Sequence, residues 1–157
     1  MKRKIGLFAI GLVITGVFIA IIPTTTLAED LELYPDLIIT NVGVIHGLSW
    51  RHHYVTPWIK NNGNAPVSTT FHTSLAFEQY SKSGFGYFTV LKIYETDSLP
   101  IGWTIPLLTF DHLWYGDWNQ ITGRYIVHVD CYNEINEGPS GGENNNWYNT
   151  SWWPWEP

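Results

Sequence analysis

Short runs of alternating apolar and polar residues dominate the chain after residue 28, and clusters of Gly, Pro, Asn, Asp and Ser separate them. Alternation with period two places one side of a strand in a core and the other in solvent. The clearest run is Arg124 to Asp130, where Tyr125, Val127 and Val129 are expected to face inward. Residues 70–77 also alternate, with Phe71, Thr73, Leu75 and Phe77 expected on one face. We therefore predict an all-β fold, an immunoglobulin-like sandwich of two antiparallel sheets with about seven strands.

The predicted strands follow one another closely: 37–42, 53–59, 70–77, 85–94, 102–110, 113–118, 124–130 and 146–153. Pro57 cannot donate a hydrogen bond, so the second strand is expected at a sheet edge or bulged there. Asn62-Gly63 predicts a turn with left-handed backbone angles. Gly123-Arg124-Tyr125 resembles a tyrosine corner, in which the hydroxyl ties a loop to the backbone.

The first 28 residues have the layout of an export signal, or of an N-terminal anchor helix that is not cleaved. Lys2-Arg3-Lys4 precede the uncharged apolar run Ile5 to Ile22, and Thr26 and Ala28 suit the cleavage site. The apolar run is also nearly long enough to span a bilayer. We therefore expect a protein that is secreted or displayed on the cell surface. Its only membrane contact would be residues 5–22, and residues 29–157 would form the folded domain.

Charge and cysteine content exclude several classes of function. Removal of the first 28 residues leaves five basic and fourteen acidic residues, a formal charge of −9. Such a surface argues against nucleic-acid binding, which needs clustered Lys and Arg. Cys131 is the single cysteine, so there is neither an internal disulfide nor a zinc site built from cysteines. It is expected to be a buried thiol, a modified thiol or an intermolecular link.

Several fragments in fixed order resemble the CARDB domain, the cell-adhesion-related domain of bacterial and archaeal surface proteins. They are residues 35–39 (PDLII), 59–65 (IKNNGNA), 123–130 (GRYIVHVD), 133–137 (NEINE) and 143–145 (ENN). The resemblance spans nearly the whole chain after the leader. It implies an extracellular, non-catalytic, immunoglobulin-like module.

An acidic and amide-rich series near the last predicted hairpin has two interpretations. Oxygen ligands of this kind suit Ca²⁺, and Asp130, Asn133 and Glu137 are the candidate ligands. Alternatively, the same side chains hold turns by accepting hydrogen bonds from nearby backbone N–H groups, with no metal. No other cofactor is expected.

The C-terminal aromatic residues are the candidate ligand-binding row: Trp147, Tyr148, Trp152, Trp153 and Trp155. Exposed Trp and Tyr rings can stack on sugars, whereas buried ones would build the core. The Pro-interrupted tail, residues 152–157, could also add to the sheet edge of a second copy or dock on its own sandwich.

Six histidines show no His-x-His or His-x₃-His spacing that would favour a metal site: His46, His52, His53, His72, His112 and His128. The sequence also lacks Gly-x-Ser-x-Gly, His-Glu-x-x-His and a phosphate-binding glycine loop. We therefore expect no enzyme. The predicted function is an exported binding module for surface adhesion or assembly, with an extracellular protein or a polysaccharide as its partner. The alternative is a carbohydrate-binding protein that uses the C-terminal aromatic row.

Overall fold

Two antiparallel sheets form a sandwich, as the sequence predicts. In the computed structural model, the described residues are 32–49, 51–81, 86–113, 120–139, 145–151 and 153–154, and within them there is no helix. The predicted signal or anchor, residues 1–28, lies outside the described residues. No helix in the described ranges is long and apolar enough to cross a membrane.

Nine strands occur in the described part of the chain: β1 (Leu37–His46), β2 (His52–Asn61), β3 (Phe71–Ser81), β4 (Gly86–Thr96), β5 (Thr104–Pro106), β6 (Phe110–Leu113), β7 (Gln120–Val129), β8 (Trp147–Asn149) and β9 (Trp153–Pro154). The first sheet has the order β1-β2-β5, and β6 also pairs with β2. The second sheet has the order β4-β3-β7-β8, and β9 also pairs with β7. β5 and β6 lie on the same side of β2, and β8 and β9 lie on the same side of β7. The nine described strands therefore occupy seven strand positions in the two sheets.

Pro57 lies in a central strand, so the expectation of an edge position or a bulge there is wrong. β2 has β1 on one side and both β5 and β6 on the other. The pairing with β6 ends at Val55 and that with β5 begins at Trp58, so the missing donor falls in the interval between the two short strands. In that interval the Leu107 N–H donates to the Pro57 carbonyl at 2.8 Å. Pro57 is tolerated because two short strands, rather than one long strand, lie beside this part of β2. The predicted strand 102–110 is accordingly divided into β5 and the start of β6.

Each sheet has a one-residue bulge in its edge strand. Ile39 and Asn41 of β1 pair with consecutive residues of β2, so Thr40 between them is the extra residue. In β4 the extra residue is Leu91, because Val90 and Lys92 pair with consecutive residues of β3.

The core lies between the inner faces of the sheets. Its fully buried members include Val55 and Ile59 of the first sheet and Phe71 and Leu75 of the second. The inward alternation predicted for β3 and β7 is confirmed. On the opposite face Ile126 is buried as well, because strands on both sides of β7 supply side chains around it.

Asn61 closes one end of the core with four hydrogen bonds. Its Nδ2 donates to the carbonyls of Ala65 and Leu99, at 2.8 and 3.1 Å. Its Oδ1 accepts from the N–H groups of Gly63 and Asp36, at 3.0 and 3.3 Å. The side chain is completely buried, so these partners are its substitute for water.

Gly63 is needed in this turn for space. Its backbone is not left-handed, contrary to the prediction, since the described glycines with positive φ are Gly102 and Gly138. A Cβ at Gly63 would lie only 2.4 Å from the Tyr34 carbonyl oxygen.

We expect Asn61→Ala to lower the free energy of unfolding by about 3 kcal/mol, because it leaves several buried backbone groups without partners. Urea denaturation measures this change. The matched control is Asn62→Ala, which removes exposed hydrogen bonds to Asp36 and Lys60 and should cost under about 1 kcal/mol. Equal losses for the two variants would contradict this account.

Candidate functional site

A buried tyrosine hydroxyl joins the two sheets. The Tyr125 side chain of β7 is completely buried, and its hydroxyl lies 2.8 Å from Nδ1 of His53 in β2. The same hydroxyl lies 2.8 Å from Nδ1 of His112 in β6. The histidines are direct cross-strand partners in the first sheet. We call these three residues the inter-sheet triad.

The number of protons that the triad carries determines which groups donate and which accept its hydrogen bonds. A phenol has one proton to donate, so it donates to one imidazole and accepts from the other. Burial, with a further contribution from nearby His53, lowers the pKa of His112 to about 4, while Asp111 acts in the opposite direction. Burial also raises the pKa of Tyr125. At neutral pH the hydroxyl therefore keeps its proton, and His112 is uncharged.

The described partners of the Tyr125 hydroxyl differ from those of the expected tyrosine corner, which stays a prediction. The Tyr125 hydroxyl has partners in the opposite sheet, whereas a tyrosine corner connects a turn to its own sheet. Gly123 has a separate role, because a Cβ there would lie 2.5 Å from the Phe77 ring. An inward histidine in β2 facing an inward tyrosine in β7 is the sequence signal that could have indicated the triad.

Asp130 stabilises the turn after β7. It is buried with a left-handed φ of 50°, and its two carboxylate oxygens accept the N–H groups of Glu134 and Ile135 at 2.8 and 2.9 Å. Asn133 also has a left-handed φ, 56°, and its N–H donates to the Asp130 carbonyl. These bonds are those that the turn-forming interpretation requires.

Glu137, the third candidate calcium ligand, forms its hydrogen bonds at a different place in the fold. Its carboxylate is buried and accepts from the Leu37 N–H at 3.2 Å and from Asn146 Nδ2 at 3.4 Å. The described residues contain no group of three or more His, Cys, Asp or Glu arranged to hold a metal ion. Calcium binding by Asp130, Asn133 and Glu137 stays a prediction.

His46 packs edge-on against His53 of the triad, with ring centroids 4.8 Å apart, and the other three histidines have separate partners. His72 Nδ1 pairs with the Glu134 carboxylate at 2.8 Å. His52 pairs with Asp111 at the end of the first sheet. The His128 ring stacks on Trp147, with ring centroids 3.8 Å apart.

Cys131 is a half-buried free thiol. Burial raises its pKa, and the nearby carboxylates of Glu134 and Asp130 do so as well. Because the thiolate is the nucleophile and metal ligand, this environment makes Cys131 a poor reactive site.

The C-terminal aromatic row does not share one face. Trp147 is 54% exposed, whereas its neighbour Tyr148 packs against the core, because successive residues of β8 point in opposite directions. The backbone of Trp153 pairs with Gly123, so this part of the tail docks on its own sheet. The side chain of Trp153, and the whole of Trp152 and Trp155, lie outside the described residues.

An exposed apolar surface lies on the outer face of the first sheet. We call it the outer patch, and it consists of Ile45, Tyr54, Trp58 and Leu113. Ile45 lies directly opposite Tyr54, while Leu113 lies opposite His52 on the adjacent strand. Ile45 is 69% exposed and Leu113 46% exposed. The sequence places Tyr54 and Trp58 on this face but does not show which strands flank them.

A groove of about 470 Å³ separates β4 from β5 at one side of the sandwich. The Tyr94 hydroxyl is buried beside it and has no hydrogen-bond partner among the described residues. Burial raises the pKa of Tyr94 to about 12, so the phenol is protonated at neutral pH.

Two solved structures resemble this sandwich. The CARDB domain of a Pyrococcus furiosus protein, in complex with di-metal ions, matches with a TM-score of 0.53 and 21% identity, covering 75% of this chain and 88% of that one. The chain has a CARDB-like fold. A domain assigned to a cell surface protein from Methanosarcina acetivorans matches with a TM-score of 0.51 and 24% identity, covering 74% of this chain and 88% of that one. The resemblance to CARDB found in the sequence is thus confirmed for the fold. No protein-family model matches the sequence, and the comparison with curated proteins gives no match.

We expect the free energy of unfolding of this CARDB-like sandwich to fall as the pH decreases from about 6.5 to about 4. In that interval the unfolded chain binds a proton at His112 that the folded chain excludes, since the folded pKa is about 4. Urea denaturation at several pH values measures the slope. His112→Gln should remove part of this pH dependence, and an unchanged slope in that variant would contradict the assignment.

Proposed function

We propose that the chain is an exported, non-catalytic binding module that acts at the cell surface in adhesion or in surface assembly. Its partner would be an extracellular protein that contacts the outer patch. Residues 1–28 would direct export, and residues 5–22 would anchor the chain if they are retained. The cell-surface assignment of one similar structure supports this location.

The observation that carries the proposal is the outer patch itself. Its four large side chains lie on one open sheet face, and exposed apolar side chains gathered on one face of a domain are typical of an interaction site. Leu48, in the turn after β1, is fully exposed as well.

Polar groups lie among the apolar side chains of the patch. Asp111 is directly opposite Tyr54 and pairs with His52, and the hydroxyls of Thr56 and Thr109 bond to each other at 2.8 Å. A surface that combines exposed apolar side chains with hydrogen-bonding groups is typical of interfaces with another protein.

The acidic side chains near the last hairpin are occupied by structural hydrogen bonds, which supports a non-catalytic function. Asp130 and Glu137 bind backbone N–H groups, and Glu134 binds His72. The Glu134 and Glu137 carboxylates, which glycoside hydrolysis could have used as a pair, therefore have separate structural partners.

We expect Ile45→Asp to weaken attachment of the full chain to extracellular surface preparations from its source cells at least tenfold, since it places a charge on the apolar surface beside Tyr54. Binding of immobilised chain measures the effect. Leu33→Asp is the matched control, because Leu33 is 63% exposed and precedes β1, at the opposite end of that strand from Ile45. Equal attachment of the two variants would argue against the outer patch as the binding surface.

Carbohydrate binding is the second candidate function. Tyr54 and Trp58 lie four residues apart on one face of β2, about 13 Å along the strand, with Thr56 between them. Two exposed rings with a hydroxyl between them can stack on and hydrogen-bond to a glycan chain. On the second sheet Trp147 is the described, exposed member of the C-terminal row, and that row remains a proposed site.

A polysaccharide pull-down separates the two candidates. If a glycan is the ligand, Trp58→Ala should abolish retention on the polysaccharide, and a soluble oligosaccharide should compete. If a protein is the partner, Ile45→Asp should have the larger effect and soluble sugar none. Retention that is unchanged in both Trp58→Ala and Trp147→Ala would exclude the aromatic rings as the glycan site.

A further inference from the structure

β4 is an edge strand with an unusual open segment. Among the described strands it pairs with β3 alone. All five residues from Gly86 to Val90 are exposed, although they alternate between the two faces of the sheet. Tyr87 is 56% exposed, Phe88 58% and Val90 51%. This part of β4 is therefore largely open on both faces, apart from the Tyr80 ring that lies over Gly86, and no described strand pairs with its free edge.

The segment lacks the features that protect natural sheet edges. Lysine, proline and bulges discourage the pairing of an exposed edge with another chain. Here the bulge at Leu91 and the charge of Lys92 come only after the segment. Gly86 to Val90 contain no charge and no proline. We call these five residues the open edge.

We propose that the open edge pairs with the open edge of a second copy of this chain, antiparallel and with Phe88 at the twofold axis. Phe88 then lies opposite Phe88 of the second copy, Tyr87 opposite Thr89, and Gly86 opposite Val90. The two second sheets become one continuous sheet across the dimer. All five residues find partners inside the open edge, and the bulge stays outside the ladder.

Self-complementarity favours a second copy over a different protein. Directly opposite residues of antiparallel strands lie on the same face of the sheet. The two Phe88 rings therefore meet on the outer face, where aromatic cross-strand pairs stabilise a sheet. Such an arrangement satisfies the condition of a twofold interface, in which one surface matches itself.

Charge also favours this location for self-association. Two copies with a net charge of −9 after removal of the leader repel each other over most of their surface. The open edge is uncharged, and the acidic residue opposite Phe88 on β3, Glu78, is paired with Arg124 at 2.6 Å. Contact at this edge therefore brings no unpaired carboxylates together.

The size of the surface indicates a reversible dimer. The exposed parts of Tyr87, Phe88 and Val90 amount to roughly 300 Å² per copy. Two copies bury about twice that area together with the backbone edges, which is below the roughly 1,200–2,000 Å² of a standard interface. The dimer should therefore form and dissociate with protein concentration.

Sedimentation equilibrium of the full chain tests the proposal. We expect a monomer–dimer equilibrium that Phe88→Lys shifts at least tenfold toward monomer and that Leu33→Lys, at a similarly exposed site before β1, leaves unchanged. Circular dichroism confirms that both variants are folded. A monomer at all concentrations up to about 1 mM overturns the proposal and leaves the open edge to a different chain. A dimer that Phe88→Lys does not weaken also overturns it, since another surface must then be responsible.

Disulfide trapping tests the register. In a Cys131→Ser background, Phe88→Cys should cross-link two copies under mild oxidation, because opposite Cα atoms about 4.5–5.5 Å apart suit a disulfide. Val90→Cys should not, because the two residues at position 90 would be about 13 Å apart along the ladder. Cross-linking of Val90→Cys at the same or a higher rate would overturn the proposed axis.

Discussion

Burial of the apolar inner face of β3 against that of β2 is the interaction on which the rest of the structure depends. Phe71, Leu75, Val55 and Ile59 are fully excluded from water and belong to one cluster that extends through both sheets. Each such side chain contributes about 1.5–3 kcal/mol to folding. The twofold alternation of the strands then determines which side chains are left outside. The outer patch and the open edge exist because these faces have no second layer in the described structure.

The polar groups inside the sandwich serve this packing. Buried donors and acceptors need partners, and the chain supplies them at each place where strands end or sheets meet. Asn61 joins neighbouring loops at one end of the core, and Asp130 stabilises the turn after β7. Glu137 connects the start of β1 to the residues before β8. Tyr125 connects the two inner faces at their polar end. Residue types that suggest a metal or catalytic site therefore have a structural reason to be present.

Local periodicity is enough to predict the two-sheet fold and the inward sides of β3 and β7, because alternation is a property of each strand alone. It does not predict that Pro57 lies in a central strand, because a proline fits there only where two short strands, β5 and β6, replace one long neighbour. The same limit applies to the hydroxyl of Tyr125, whose partners are 72 and 13 residues away in sequence. Trp147 and Tyr148 looked alike as aromatic residues. Only the register of β8 separates an exposed ring from a packed one.

The bulges at Thr40 and Leu91 have an evolutionary consequence. Each is a single residue added to an edge strand, and the pairing on both sides of it is regular. A related chain without that residue could keep every other pair, and hence the same core, in place. Insertions and deletions between relatives can therefore accumulate at these two points while the buried positions stay aligned. The edges of the sandwich can thus vary in length and twist independently of its interior.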